Sequence, residues 1–273
     1  MRVPMRRNDP RRLPELAPRR REILHAVIRE HIASALPVAS AELVRRYRMG
    51  VSPATVRSEL AALEELGLLT HPHTSAGRVP TDLGYRYFIE ALMPNPDLRE
   101  DERVTLSHQF RQAPADTSDW LRLAASTLAR LTREAAIATY DRALEPDEVT
   151  WAGDVTWSRR IHYEGIDLIL TQPEFRVGDR LRGVVELLQD RQLLSQVLPG
   201  SLGEGDVAVS IGSEHALEPL RPFSLVIGRY GSDDTAVGYV GVVGPTRMDY
   251  HRTIGAVRFV GGLMSDLVRA LDG

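Results

Sequence analysis

"VSPATVRSELAALEELGLLTHPHTSAGRVPT", Val51 to Thr81, decides how the first third of the chain folds. It opens on a small hydroxyl and a proline, runs through a leucine-bearing segment, then breaks into His, Pro, Ser and Gly around one arginine. Ser52 is placed to cap a helix with Pro53 at its first position, where a missing N–H leaves no hydrogen bond unmade. Gly67 stands where a helix gives way to a left-handed residue. Projected at about 100° per residue, Val56, Leu60 and Leu63 share one face, with Leu66 at its edge and Glu59 at its rim. Ala54, Ser58, Ala61 and Glu65 lie opposite, flanked by Thr55 and Arg57. The outward face is small and hydroxylic over two turns and acidic only at Glu64 and Glu65.

A helix that enters the major groove presents its first turns to base edges and needs small side chains there. Ser52 and the free N–H groups of the first turn would suit a phosphate. Arg57 could pair with guanine or a phosphate, and Thr55 and Ser58 could touch bases or thymine methyls. An ordinary capped surface helix with solvated Glu64 and Glu65 fits the same helix equally well. The residues after Gly67 favour the groove. Leu68–His71 and Arg78–Val79 read as short strands, with "HTSAG" as a wing of hydrogen-bond donors and Arg78 at its base, suited to phosphate or minor-groove contact. His71 and His73 flank a proline without a third ligand nearby, so no metal site is expected.

Working outward, Pro18 to Ser34 carries an apolar stripe of Ile23, Leu24, Val27, Ile28 and Ile32 and reads as a helix. Ser40 is expected to cap a second, short helix through Tyr47, and "RMG" turns the chain into the third. Three helices and a wing make a winged helix-turn-helix over residues 17–93, closed by an amphipathic helix from Thr81 to Met93. Residues 1–16 read as a flexible basic tail, and "MPNPDLRED" marks a boundary that opens a linker over 94–118. Residues 119–273 then read as one α+β domain with a mainly antiparallel sheet. Its expected elements are a helix over Asp119–Thr132, a strand at 135–140, a loop with Trp151 and Trp157 and a strand at "RRIHYEG". Next come a helix over Asp179–Asp190, three strands over "DVAVSIG", "FSLVIGRY" and "AVGYVGVVG", and a closing helix from about Arg247 to Leu271. The stripe on that last helix is wide enough to predict a partner subunit over part of it. "GPTRMDY" (244–250) reads as a strand-to-helix junction with Thr246 as cap and an Arg247–Asp249 ion pair, or as the rim of a small-ligand site.

Composition narrows the function. The 273 residues contain no cysteine, which excludes thiol chemistry and thiolate metal sites and places the chain in a reducing compartment, the cytoplasm. No apolar run approaches the roughly 18 residues that would span a bilayer, so no membrane partner is expected. All basic residues are arginine; residues 1–93 hold 15 Arg against 10 acids, whereas the remainder is net acidic. A basic first third fits a polyanion-binding module. No phosphate loop, nucleophile elbow or zinc-binding HExxH occurs, so neither catalysis nor a cofactor is expected.

"REILHAVIREHIASALPVAS", "GVSPATVRSELAALEELGLL" and "HTSAGRVPTDLGYRYFIEALM" resemble the N-terminal domain of the HrcA heat-inducible transcription repressors. "EGIDLILTQPEF" (164–175) and "VGVVGPTRMDYHRTIGAVRFV" (240–260) resemble the later part of the same family. The resemblance implies a homodimeric repressor of heat-shock chaperone operons that binds an inverted-repeat operator in double-stranded DNA, with activity promoted by the GroEL chaperonin. It implies that the second domain is GAF-like, and that Ser52, Thr55, Arg57, His73, Thr74, Ser75, Arg78 and Thr81 face DNA. Ser58 departs from the Asn usual there. Relatives also carry an inserted dimerisation subdomain between the equivalents of Tyr140 and Ile161, where this chain has some twenty residues, so a reduced GAF-like sheet is expected. A regulator answering to a small ligand in its second domain, and a winged domain that docks protein, are the competing readings.

Overall fold

A computed structural model describes residues 13–72, 77–114, 116–143, 157–175, 202–232 and 236–271. Helix α1 (Pro18–Ser34) starts on its proline and ends at Ala35, whose φ of 57° turns the chain. Its Ile23, Leu24, Val27 and Ile28 are buried against Leu43 of α2 (Ser40–Tyr47) and Val56, Leu60 and Leu63 of α3 (Pro53–Glu65). The expected cap at Ser40 is displaced. Backbone pairing of Val38 with Arg78 keeps the chain extended through Ala39, and Ser40 becomes the first helical residue. Gly67, at φ +72°, takes the left-handed position after α3. Strands β1 (Leu69–Thr70) and β2 (Val79–Pro80) pair antiparallel as the base of the wing.

The helix expected over Thr81–Met93 is α4 (Asp82–Tyr87), which widens into a π-helical turn over Phe88–Leu92. The segment expected as a linker contains α5 (Glu100–Arg111), with Leu106 and Phe110 buried. Helix α6 (Thr117–Thr132) comes next, capped by Asp116 through the N–H groups of Ser118 and Asp119.

Among the described residues five strands form the second sheet, in the order β4-β3-β7-β6-β5 and antiparallel throughout. They are β3 (Ala135–Ala143), β4 (Trp157–Glu164), β5 (Val207–Ile211), β6 (Phe223–Ser232) and β7 (Ala236–Pro245). Helix α7 (Ile166–Leu170) and a turn at Pro173–Phe175 lie between β4 and β5, and α8 (Tyr250–Leu271) closes the chain. The helix expected over Asp179–Asp190 and the position of Trp151 lie outside the described residues, as does the side chain of Trp157.

One correction concerns α8. Its first turn begins at Tyr250 because Asp249 accepts the Arg252 N–H at 3.1 Å, so Asp249 and not Thr246 caps it. Of its wide apolar stripe, Tyr250, Ile254, Val257, Val260, Met264 and Val268 are buried where the helix lies between the sheet and helices α5 and α6, whereas Leu263 and Leu267 are half-buried.

A single apolar cluster runs from α1, α3 and α4 through α5 and α6 to α8 and one face of the sheet. A smaller cluster, including Ile137, Phe175, Phe223, Leu225 and Val243, lies on the other face.

Candidate nucleic-acid interface

The amino end of α3 is organised by Ser52. Its hydroxyl accepts the Thr55 N–H at 3.1 Å and lies 3.0 Å from the Thr55 hydroxyl, which satisfies one of the free donors of the first turn and fixes both side chains. Pro53, Ala54, Arg57, Ser58, Ala61 and Glu65 are exposed; Val56, Leu60 and Leu63 are buried. The helical projection therefore holds at each of these positions. The side chains of Arg57 and Ser58 make no hydrogen bond or ion pair among the described residues, so both are free for a ligand.

The acids of α3 are arranged away from this end. Glu59 pairs with Arg20 of α1 at 2.6 Å, and Glu64 hydrogen-bonds with His71 and ion-pairs with Arg78, the latter at 2.8 Å. Hydrogen bonding from His71 holds the Glu64 carboxyl below its ordinary range; slight burial opposes this and Arg78 reinforces it. Only Glu65 remains solvated on the outward face. The exposed surface of the first two turns carries one charge, the cation of Arg57.

Two expected contacts are occupied by internal bonds. Arg78 sends its guanidinium to Glu64 and its backbone to Val38, with N···O distances of 2.8 and 2.9 Å in the two directions. It ties the base of the wing to the end of α3. Thr81 donates to the Gly67 carbonyl at 2.6 Å and accepts from the Gly84 N–H at 3.0 Å, which fastens the start of α4 to the end of α3. Both residues shape the interface from behind it. His73, Thr74 and Ser75 lie outside the described residues.

Sequence reasoning passes over the arginines of α2. Arg45 and Arg48 are exposed beside the turn into α3; Arg45 has only a long contact with Glu42, 3.9 Å, and Arg46 pairs with Glu30. The signal available is the run "RRYR", at the end of the helix that in this motif crosses the phosphate backbone. Ser52, Thr55, Arg57 and Ser58 stand at the start of α3, and Arg45 and Arg48 at the end of α2 shortly before it.

A family model described as the HrcA protein C-terminal domain matches residues 143–254. The chain is 38% identical to the heat-inducible transcription repressor HrcA of Roseiflexus castenholzii, with 95% of this chain and 96% of that protein covered. It is 34% identical to the HrcA repressor of Chloroflexus aurantiacus, with 94% and 95% covered. The first alignment runs over 346 positions against 273 residues here, so at least 73 positions fall opposite gaps in this chain. Among solved structures, a crystal structure of a hypothetical protein at 2.2 Å shares the fold, with a TM-score of 0.70, 18% identity and 94% and 99% of the two chains covered.

Proposed function

Because the chain belongs to the HrcA family of heat-inducible transcription repressors, we propose that it represses chaperone genes as a homodimer. Each subunit reads one half of an inverted-repeat operator in double-stranded DNA. The amino end of α3 enters the major groove, with Arg57 and Ser58 on base edges and Ser52 and Thr55 at the phosphate that meets the helix N-terminus. Arg45 and Arg48 contact neighbouring phosphates, and His73, Thr74 and Ser75 reach the backbone or minor groove from the wing. Arg78 and Thr81 hold the wing and α4 in register with α3. The GroEL chaperonin, when free of misfolded substrate, promotes the active form in the cytoplasm, as the family resemblance implies.

The observation that carries this reading is the small-residue end of α3, where the side chains of Arg57 and Ser58 are exposed and unpaired among the described residues and every acid but Glu65 has been turned aside or neutralised. Replacing Arg57 by Ala should weaken binding to an inverted repeat from the chain's own chaperone promoter by about 1–3 kcal/mol and relax selectivity at one base pair. Arg48→Ala should weaken binding to all sequences alike and lower the salt dependence by about one phosphate contact. Gel shifts across a salt series, with and without purified chaperonin, read both. Unchanged affinity and selectivity in Arg57→Ala would remove the groove assignment.

A further inference from the structure

The winged domain is fastened to the sheet domain at two polar points. At the first, the turn after β7 extends Arg247 between the domains. Its guanidinium ion-pairs with Glu174, including an NH2–Oε2 contact of 3.0 Å, donates to Gln172 Oε1 at 3.1 Å and reaches the carbonyl of Ile32 in α1 at 3.3 Å. This is not the local Arg247–Asp249 pair expected for "GPTRMDY". Beside it, His31 Nδ1 lies 2.7 Å from the Tyr85 hydroxyl, and the Tyr85 ring leans on that of Tyr250 with centroids 5.7 Å apart. Tyr250 in turn donates to the Thr246 carbonyl and meets Ser224 of β6, both at 2.7 Å.

The second point lies on α4. Arg86, with its side chain 18% exposed, grips both oxygens of Glu214, one at 2.9 Å, and donates to the Val209 carbonyl of β5 at 2.8 Å. Asp82 accepts the Ser213 N–H at 2.8 Å. Gly212 holds a left-handed φ of +51°, and the Asp82 carboxylate occupies the place where a Cβ would stand. Two attachments, one on α1 and one on α4, add polar register to the apolar core that the two domains share. Helix α3 moves with α1, because Arg20 and Glu59 pair between them and their apolar faces share one core.

We infer that this two-point joint, formed by Arg247, held by Glu174, with the Ile32 carbonyl of α1 and by Arg86 with Glu214, locks the winged domain to the sheet domain and thereby sets the spacing between the two recognition helices on DNA. The spacing part rests on the dimeric reading above; the lock itself does not. Arg247 and Arg86 are positioning residues that act through α1 and α4.

The absence of cysteine makes the lock directly measurable. Spin labels at Glu22→Cys on α1 and Ser126→Cys on α6, in dimers diluted with unlabelled full-length chain, report the distance between the domains. The parent chain should give one narrow distribution. Arg247→Gln combined with Arg86→Gln should broaden it about twofold or more, and the charge swap Arg86→Glu with Glu214→Arg should restore it relative to Arg86→Glu alone. In parallel, operators whose half-sites are moved apart by half a helical turn, about five base pairs, should bind the parent on the order of tenfold more weakly. The combined variant should lose that preference, whereas a variant that is merely less stable would bind all spacings proportionately less. A broad parent distribution, a narrow combined variant, or a variant that keeps the spacing preference would overturn the inference. A parent that binds no inverted repeat would sink the function proposed above, and the label distances would still decide the lock.

Discussion

At the scale of single residues, the interior polar groups set how the protein answers to pH. Glu134, 5% exposed, lies so close beneath β7 that a Cβ at Gly244 would stand 2.6 Å from its carboxyl carbon. Burial pushes its carboxyl up from 4.5 to about 8, despite the Gln172 hydrogen bond and the Arg247 charge that favour ionisation. His31 moves the other way, from 6.5 to about 4, through burial and then the Arg247 cation, with Glu174 opposing. At Glu102, burial would raise the carboxyl, but hydrogen bonds from Arg99 and Arg252 together outweigh it and hold the group at about 2. Proton counting gives the signs. Between 4.5 and 8 the folded state holds the Glu134 proton that the unfolded chain has lost, so stability falls as pH rises through that window. Between 6.5 and 4 the unfolded chain gains a His31 proton that the folded state refuses, so stability falls as pH drops; Glu102 extends the loss from 4.5 towards 2. Glu134 and His31 nearly cancel between 4.5 and 6.5, which leaves a plateau there. Urea unfolding at about pH 6 and about pH 8.5 should show the parent losing stability on the order of a few kcal/mol, and Glu134→Gln, which keeps the bond to Gln172, losing far less. An equal loss in both proteins would assign the alkaline side to other groups.

Among the elements, α8 offers a paired test of packing against propensity. Its glycines each cost roughly 1 kcal/mol relative to Ala in a helix, unless something needs the missing side chain. At Gly255 a Cβ would stand 3.0 to 3.1 Å from the backbone of Asp97, which crosses the helix there; at Gly262 it would meet nothing within 4 Å. Gly255→Ala should therefore destabilise by about 1–3 kcal/mol, whereas Gly262→Ala should stabilise by about 0.5–1 kcal/mol in chemical unfolding. The same contrast, between local pattern and distant contact, separates what is legible in the sequence from what is not. Helices α1 and α3 carry local marks, a proline at the first turn and regular apolar spacing, and their bounds are predictable. The hairpin of β6 and β7 is equally plain from its two apolar runs and polar turn. Helix α5 is not: it buries only Leu106 and Phe110, and its first turn, Glu100, Asp101 and Glu102, looks like a charged linker. The candidate interface divides similarly. The exposure of Arg57 and Ser58 comes from helical period alone, whereas the capture of Arg78 by Glu64 depends on the wing folding back onto α3, and no local pattern encodes that.

Over the whole molecule, the winged domain and the sheet domain share one apolar core, in which Tyr85 of α4 and Tyr250 of α8 are both fully enclosed. The boundary that prolines and charges mark in the sequence is a change of architecture and not a gap in packing. Scanning calorimetry should accordingly show one transition whose measured enthalpy matches the van't Hoff value; two separated peaks would mean that the halves melt independently. The contact between Arg86 and the Val209 carbonyl has a further consequence. Among the described residues strand β5 is outermost in its sheet, and Val209 lies at its centre, so the winged domain also shields backbone groups that would otherwise invite pairing with another chain. A fragment cut at the proline-rich boundary would bare that margin, and the sheet half made alone should be prone to aggregate.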